Sequence, residues 1–165
     1  MNCLTCGGKM KTTIDTNYHY TMSGLTKVYL NGVKNHRCVD ASCAEDEVDI
    51  PNIVELHDLL AEITAKQENK LVPEEIRFLR THLGYSGVDF ARKLGVDAAT
   101  VSRWENGKTP MGETAERLVR IMILAKTAPI QDYQMMDLMA QKESRTAKRR
   151  NLRLNKAHWV EDKVA

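Results

Sequence analysis

The spacing of apolar positions changes along this chain, and the change divides it. Between residues 12 and 33 the β-favouring positions Thr12, Thr13, Ile14, Tyr18, Tyr20, Val28, Tyr29 and Leu30 predict strands. Asn31-Gly32 lies between Val28-Tyr29-Leu30 and Val33, which predicts a tight hairpin. After Cys43 an acidic stretch, Ala44 to Pro51, ends a strand. From Ile53 the period lengthens. Ile53, Leu56, Leu59, Leu60 and Ile63 recur at helical spacing, and Asn52 is the candidate cap. The polar Lys66-Gln67-Glu68-Asn69-Lys70 stretch closes that helix and places a domain boundary at residue 70.

Four further helices are predicted by their start and stop residues. Pro73 opens one at a favoured first-turn position, with Glu74 and Glu75 beside the positive end of the dipole. Its inner face is Ile76, Leu79 and Leu83. Ser86 begins the next, with Asp89 three residues on. Phe90, Ala91 and Leu94 point inward there, and Gly95 ends it where a positive φ costs little. Asp97 caps a helix from Ala98 to about Asn106, with Val101 and Trp104 on its inner face and Ala99, Ser102, Arg103 and Asn106 on the outer one. A fourth runs from about Glu113 to Lys126. Ala128-Pro129 breaks it. Residues 130–144 suit a fifth, whose Met135, Met136, Leu138 and Met139 fit either dimer packing or internal packing.

The expected fold class is therefore α+β, in three parts. Residues 1–70 form a small β-rich domain with a linking helix. Residues 71–128 form an all-α domain. Residues 129–165 form a helical, basic extension, although Leu152, Leu154 and Trp159 mark part of it for packing.

Composition agrees with a folded chain: 42% hydrophobic and 28% charged residues over 165 positions. Aromatics are only 5%, which argues against one large core. No apolar run approaches a membrane span, and the N-terminus lacks a basic-then-apolar leader, so the expected location is cytoplasmic. Charge is uneven. Residues 1–72 hold seven Lys/Arg and ten Asp/Glu, whereas residues 73–165 hold seventeen and twelve. The second half suits a polyanion. Within 145–163 a basic run fits either DNA phosphates or a solvated end.

All four cysteines fall within the first 43 residues: Cys3 and Cys6 in one knuckle, Cys38 and Cys43 in a wider one. In a reducing compartment two close thiol pairs suit one tetrahedral zinc, each pair giving two sulfurs. With Cys3, Cys6, Cys38 and Cys43 all bound there is no open position, so the expected zinc is structural, one per chain. Such a metal would carry much of the folding free energy of a domain this small. The alternatives are unrelated thiols or a redox dithiol, although redox knuckles usually open a helix. His36 is a possible substitute ligand. His19, His57, His82 and His158 read as ordinary surface residues. No His/Glu pair sits at metal spacing and no nucleophile–base motif occurs, so no enzyme is expected.

The helices joined by Leu94-Gly95-Val96-Asp97 form a helix-turn-helix. Phe90 to Val96, followed by Thr100-Val101-Ser102-Arg103-Trp104-Glu105-Asn106-Gly107-Lys108-Thr109-Pro110, resembles the Xre/Cro/phage-repressor type of DNA-binding domain over about residues 73–127. Joined to the cysteine module, residues 1–127 resemble the MqsA antitoxin family, a YgiT-type zinc finger followed by a helix-turn-helix. That resemblance implies a structural zinc domain that helps contact a toxin, and a C-terminal half that dimerises and represses its own promoter. Three positions depart from the family pattern. The second knuckle is wider, so Cys38 takes a longer path to the metal or Asp40 takes part. Gly87 replaces a polar residue that often opens the second helix. Ala99 stands where a base-reading Asn is expected.

Duplex geometry then assigns roles. Arg103 is the base reader, since a guanidinium pairs bidentately with guanine. Ala98, Ala99 and the Thr100 methyl face thymine methyls, and Ser102 reaches a base or a phosphate. Arg92, Lys93, Asn106 and Lys108 sit for phosphate contacts that fix register. The expected function is a sequence-specific repressor, dimeric on a palindromic operator, acting as antitoxin to a co-encoded toxin. The alternatives are a stand-alone phage or mobile-element repressor and, from another class, a zinc or redox enzyme.

Overall fold

The computed structural model describes residues 2–127 and 147–162. The chain is α+β, as its patterning predicts. Its strands are β1 (Met10–Asp15), β2 (Tyr18–His19), β3 (Val28–Asn31), β4 (Val33–Cys38), β5 (Asp46–Asp49), β6 (Arg150–Asn155) and β7 (His158–Glu161). Its helices are α1 (Ile53–Lys66), α2 (Pro73–His82), α3 (Gly87–Leu94), α4 (Ala98–Glu105) and α5 (Glu113–Thr127). The predicted helix over 130–144 lies outside the described residues.

Two compact units emerge, and each draws on separated stretches of sequence. The first takes Met1–Tyr20, Lys27–Glu55 and Arg149–Ala165; the second takes Thr21–Thr26 and Leu56–Lys148. Within α1 the division between the two units falls between Glu55 and Leu56. In the polar stretch over 66–70 Asn69 is buried.

The first unit holds two sheets. One is antiparallel in the order β1-β4-β5, with Met10 opposite Cys38 and Arg37 opposite Asp46. The other runs β2-β3-β6-β7, and its β3–β6 pair is parallel, Val28 beside Arg150 and Leu30 beside Leu152. The hairpin expected at Asn31-Gly32 does not form. Instead β3 and β4 belong to different sheets, and the chain crosses between them at Gly32. That residue has φ 92°, and its amide donates to Asp15 O at 2.9 Å. A side chain elsewhere would resist that φ.

The end of the chain departs from the helical extension expected there. Residues 150–161 form a hairpin with a two-residue turn, closed by Asn155 opposite His158. Leu152 and Trp159 are buried, and the Trp159 indole donates to Pro51 O at 2.9 Å. Val28, Leu30, Val33 and Tyr20 complete that core. Alternation decides which residues enter: in β3, Val28 and Leu30 point in while Tyr29 and Asn31 point out.

The second unit packs Leu56, Leu60, Ile76, Leu79, Phe90, Val101, Val119 and Ile123 into one apolar interior. Arg120, fully buried, donates to the carbonyls of Ala65, Gln67 and Asn69 and to Glu116. No helix among the described residues is long and apolar enough to cross a membrane.

Candidate metal centre and nucleic-acid interface

The knuckle after Asn2 is built by backbone bonds: Gly7 N–H donates to Cys3 O at 2.9 Å, and Cys3 N–H to Gly8 O at 2.8 Å. Cys38 ends β4, and Cys43 follows a turn in which Cys43 N–H reaches Asp40 O. These elements bring the four expected ligand atoms within 4.8 Å of one another. Cys3 and Cys43 sulfurs are 3.7 Å apart, and Cys6 and Cys38 sulfurs 3.5 Å. A disulfide would need about 2.05 Å. A tetrahedron of about 2.3 Å metal–sulfur bonds has edges of about 3.8 Å. The spacing therefore fits one four-coordinate metal. Gly8 is part of the cradle, because a Cβ there would stand 3.2 Å from the Cys6 sulfur and 3.6 Å from that of Cys38.

The alternatives at this site are otherwise engaged. Asp40 Oδ1 accepts from the Ser42 amide at 2.9 Å and the Ser42 hydroxyl at 2.7 Å, and His36 Nδ1 is bonded to Thr12 Oγ1. Neither belongs to the metal-competent group among the described residues. Backbone amides of Cys6 and Thr5 hold the Cys3 thiol down at about 7. The Glu45 amide lowers Cys43, but the Cys6 sulfur, burial and the remaining sulfurs outweigh it and push that thiol up to about 12. Cys38 is raised as well: the Asp40 amide and the Cys43 sulfur lower it, but burial and the Cys6 and Cys3 sulfurs outweigh them. Four adjacent thiolates repel one another; a bound cation removes the conflict.

The second candidate site starts from caps. The Ser86 hydroxyl accepts Asp89 N–H at 3.1 Å and starts α3. Gly95, at φ 69°, ends it. Asp97 accepts Thr100 N–H at 2.7 Å and starts α4. Buried Val101 and Trp104 fix the inner face of α4. Ala98, Ala99, Ser102, Arg103 and Asn106 are exposed and Thr100 is half-buried. Arg92, Lys93 and Lys108 are exposed as well. Every candidate contact thus lies at the surface. Asn106, however, turns back on its own helix, its amide donating to Ser102 O at 2.7 Å and to Ser102 Oγ at 3.3 Å.

An ion pair that the sequence did not announce holds the far end of α4. Arg80 on α2 grips Glu105 with Nε at 2.6 Å and Nη2 at 3.2 Å, and Arg77 donates to Glu105 O. Arg80 also donates to Tyr85 O at 2.8 Å. A two-pronged bond between largely buried groups fixes the helix in rotation as well as position. Helical spacing assigns neither residue to an inner face and gives no sign that they meet.

Capped short helices joined by a left-handed glycine, with a polar outer face on the second, define a helix-turn-helix domain. Residues 76–123 match the family described as Helix-turn-helix. That match supports a DNA-binding transcription regulator. No curated protein matches the chain significantly.

Proposed function

We propose that this chain is a sequence-specific repressor with one structural zinc, and that it is the antitoxin of a type II toxin–antitoxin pair acting in the cytoplasm on its own operon. The observation that carries the DNA reading is the outer face of α4, where small Ala98 and Ala99 flank Arg103 on a helix capped, buried on its inner side and anchored through Glu105. Zinc is favoured by the four-sulfur donor set. Cys3, Cys6, Cys38 and Cys43 would hold it, and its contribution is to fix the knuckles rather than to supply chemistry.

In this reading α4 enters the major groove. Arg103 pairs with the O6 and N7 of a guanine, and Ala98 and Ala99 meet thymine methyls. Arg92, Lys93 and Lys108 neutralise phosphates, while Asn106 acts mainly by supporting Ser102. A homodimer through the C-terminal half, on a palindrome about one helical turn apart, supplies the remaining base pairs. The antitoxin part rests on the resemblance of the cysteine module and on exposed acids at Glu45, Asp46, Glu47 and Asp49, which suit a basic toxin.

The test uses duplexes enriched from a random library by the full-length protein. Arg103→Ala should lose about 1–3 kcal/mol of discrimination between enriched and random duplex. Lys108→Ala should weaken both alike and lower the salt slope by about one. Equal loss on both duplexes for Arg103→Ala removes its role as reader. Co-expression with the protein encoded beside it should relieve that protein's toxicity; a harmless neighbour leaves the repressor without the antitoxin role.

A further inference from the structure

One acid stands among the candidate DNA contacts of α4, and its two oxygens are divided between two partners. Asp97 Oδ1 accepts the Thr100 amide at 2.7 Å, which caps the helix. Asp97 Oδ2 accepts the Thr100 hydroxyl at 2.8 Å. A hydroxyl has one proton and two lone pairs. With that proton committed to Asp97, Thr100 Oγ1 can only accept from anything else. The group beside it is the Arg103 guanidinium, whose Nη1 stands 3.5 Å away on the next turn. That distance is the outer limit of a hydrogen bond, so Arg103 is propped and still able to reach a base. The two Thr100 bonds, and then the Arg103 charge, hold the Asp97 carboxyl below its usual range, so it stays ionised.

The helix dipole favours an acid at this cap, but capping does not require one. Ser or Asn caps a helix about as well, and a carboxylate on a face offered to phosphates opposes binding. We propose that Asp97 and Thr100 are positioning residues for Arg103, the carboxylate orienting the Thr100 hydroxyl so that its lone pairs hold the guanidinium toward one guanine. The inference rests on the reading of Arg103 as base reader. Its physical content is preorganisation: an exposed arginine loses rotamer freedom on docking, and a prop reduces that loss. It also moves Thr100 from the set of direct base contacts to their support.

The experiment replaces the guanines of an enriched duplex one at a time by 7-deazaguanine, which lacks the N7 acceptor, and measures binding by the full-length protein. The wild-type chain should lose about tenfold at one guanine per half-site, and Arg103→Ala should be indifferent there. Thr100→Val keeps the shape and removes the hydroxyl; its sensitivity at that guanine should fall to about threefold or less, whereas Thr100→Ser should keep the full tenfold. Asp97→Asn retains the cap but offers an amide donor to Oγ1, and should behave like Thr100→Val with an unchanged melting temperature. A purely structural role would lower the melting temperature and weaken all duplexes alike, which overturns the proposal. Full 7-deazaguanine sensitivity in both Thr100→Val and Asp97→Asn overturns it too, while leaving Arg103 as the reader. Full sensitivity in Arg103→Ala, or no enriched duplex at all, overturns the reading beneath it and the proposal together.

Discussion

Ala157 holds φ at 68° and Lys156 at 46°, the left-handed conformation that a tight two-residue hairpin requires and that side chains resist. Asn52 braces the turn, its amide donating to Ala157 O at 2.5 Å. Ala157→Gly should relieve the strain and raise stability by about 1 kcal/mol, read as an increase in melting temperature. A fall would mean that the methyl group packs usefully. His82 shows a different residue-scale conflict. Burial, then the Lys126 charge, pulls its pKa below 6.5, although Asp58 Oδ1 stands 3.4 Å from Nε2 and acts the other way. His57 is lowered mainly by burial. Both imidazoles are harder to protonate folded than unfolded. Stability should be complete above 6.5 and decline as pH falls through the range between the unfolded and folded values. His82→Gln should flatten that acid decline in a series of thermal melts, and an unchanged slope would assign it elsewhere.

The stretch over 65–71 is fixed to α5 by one side chain and its partner. Arg120 bonds three carbonyls of that stretch, and Glu116 Oε1 accepts from Arg120 and from the Leu71 amide at 3.0 Å. Arg120→Leu strands the buried Glu116 charge and should cost about 3–5 kcal/mol in denaturant unfolding. Adding Glu116→Leu should recover part of the loss, not all, because the three carbonyls stay without their donor. Equal stability of the single and double variants would show that the stranded charge is not the cause. This clamp is not legible in sequence: the Lys66–Lys70 stretch is polar, and polarity marks it as a helix end and a boundary. The helices α2 to α4 were legible because their ends carry specific chemistry in Pro73, Ser86, Gly95 and Asp97. The four cysteines were legible because the residue type limits the possibilities and both knuckles are local. The hairpin of β6 and β7 was hidden by its turn. Lys156-Ala157 carries none of the usual residues for positive φ, and basic neighbours masked the alternation of Leu152 and Leu154. Asn31-Gly32 erred the other way: glycine was needed for its φ, but to leave a sheet rather than to fold back along it.

At the scale of the molecule, metal loss should be felt far along the sequence but within one unit. Trp159 belongs to the cysteine-bearing unit and Trp104 to the helical one. In a Trp104→Phe background, chelation should shift Trp159 emission to the red, while helical circular dichroism persists. Unmoved emission would show that the β2-β3-β6-β7 sheet stands without metal. The parallel pairing of β3 with β6 has a further consequence, in time rather than in space. A ribosome delivers the chain from its N-terminus, and β3 must wait for a partner made more than a hundred residues later. The stretch through α5 is complete before β6 exists, so the helix-turn-helix can mature first. A chain ending at residue 127 and released from the ribosome should already resist protease across α2 to α5, while Val28 and Leu30 lack the strand that pairs with theirs. Residues made after the helix-turn-helix would then finish the unit that residues made before it began.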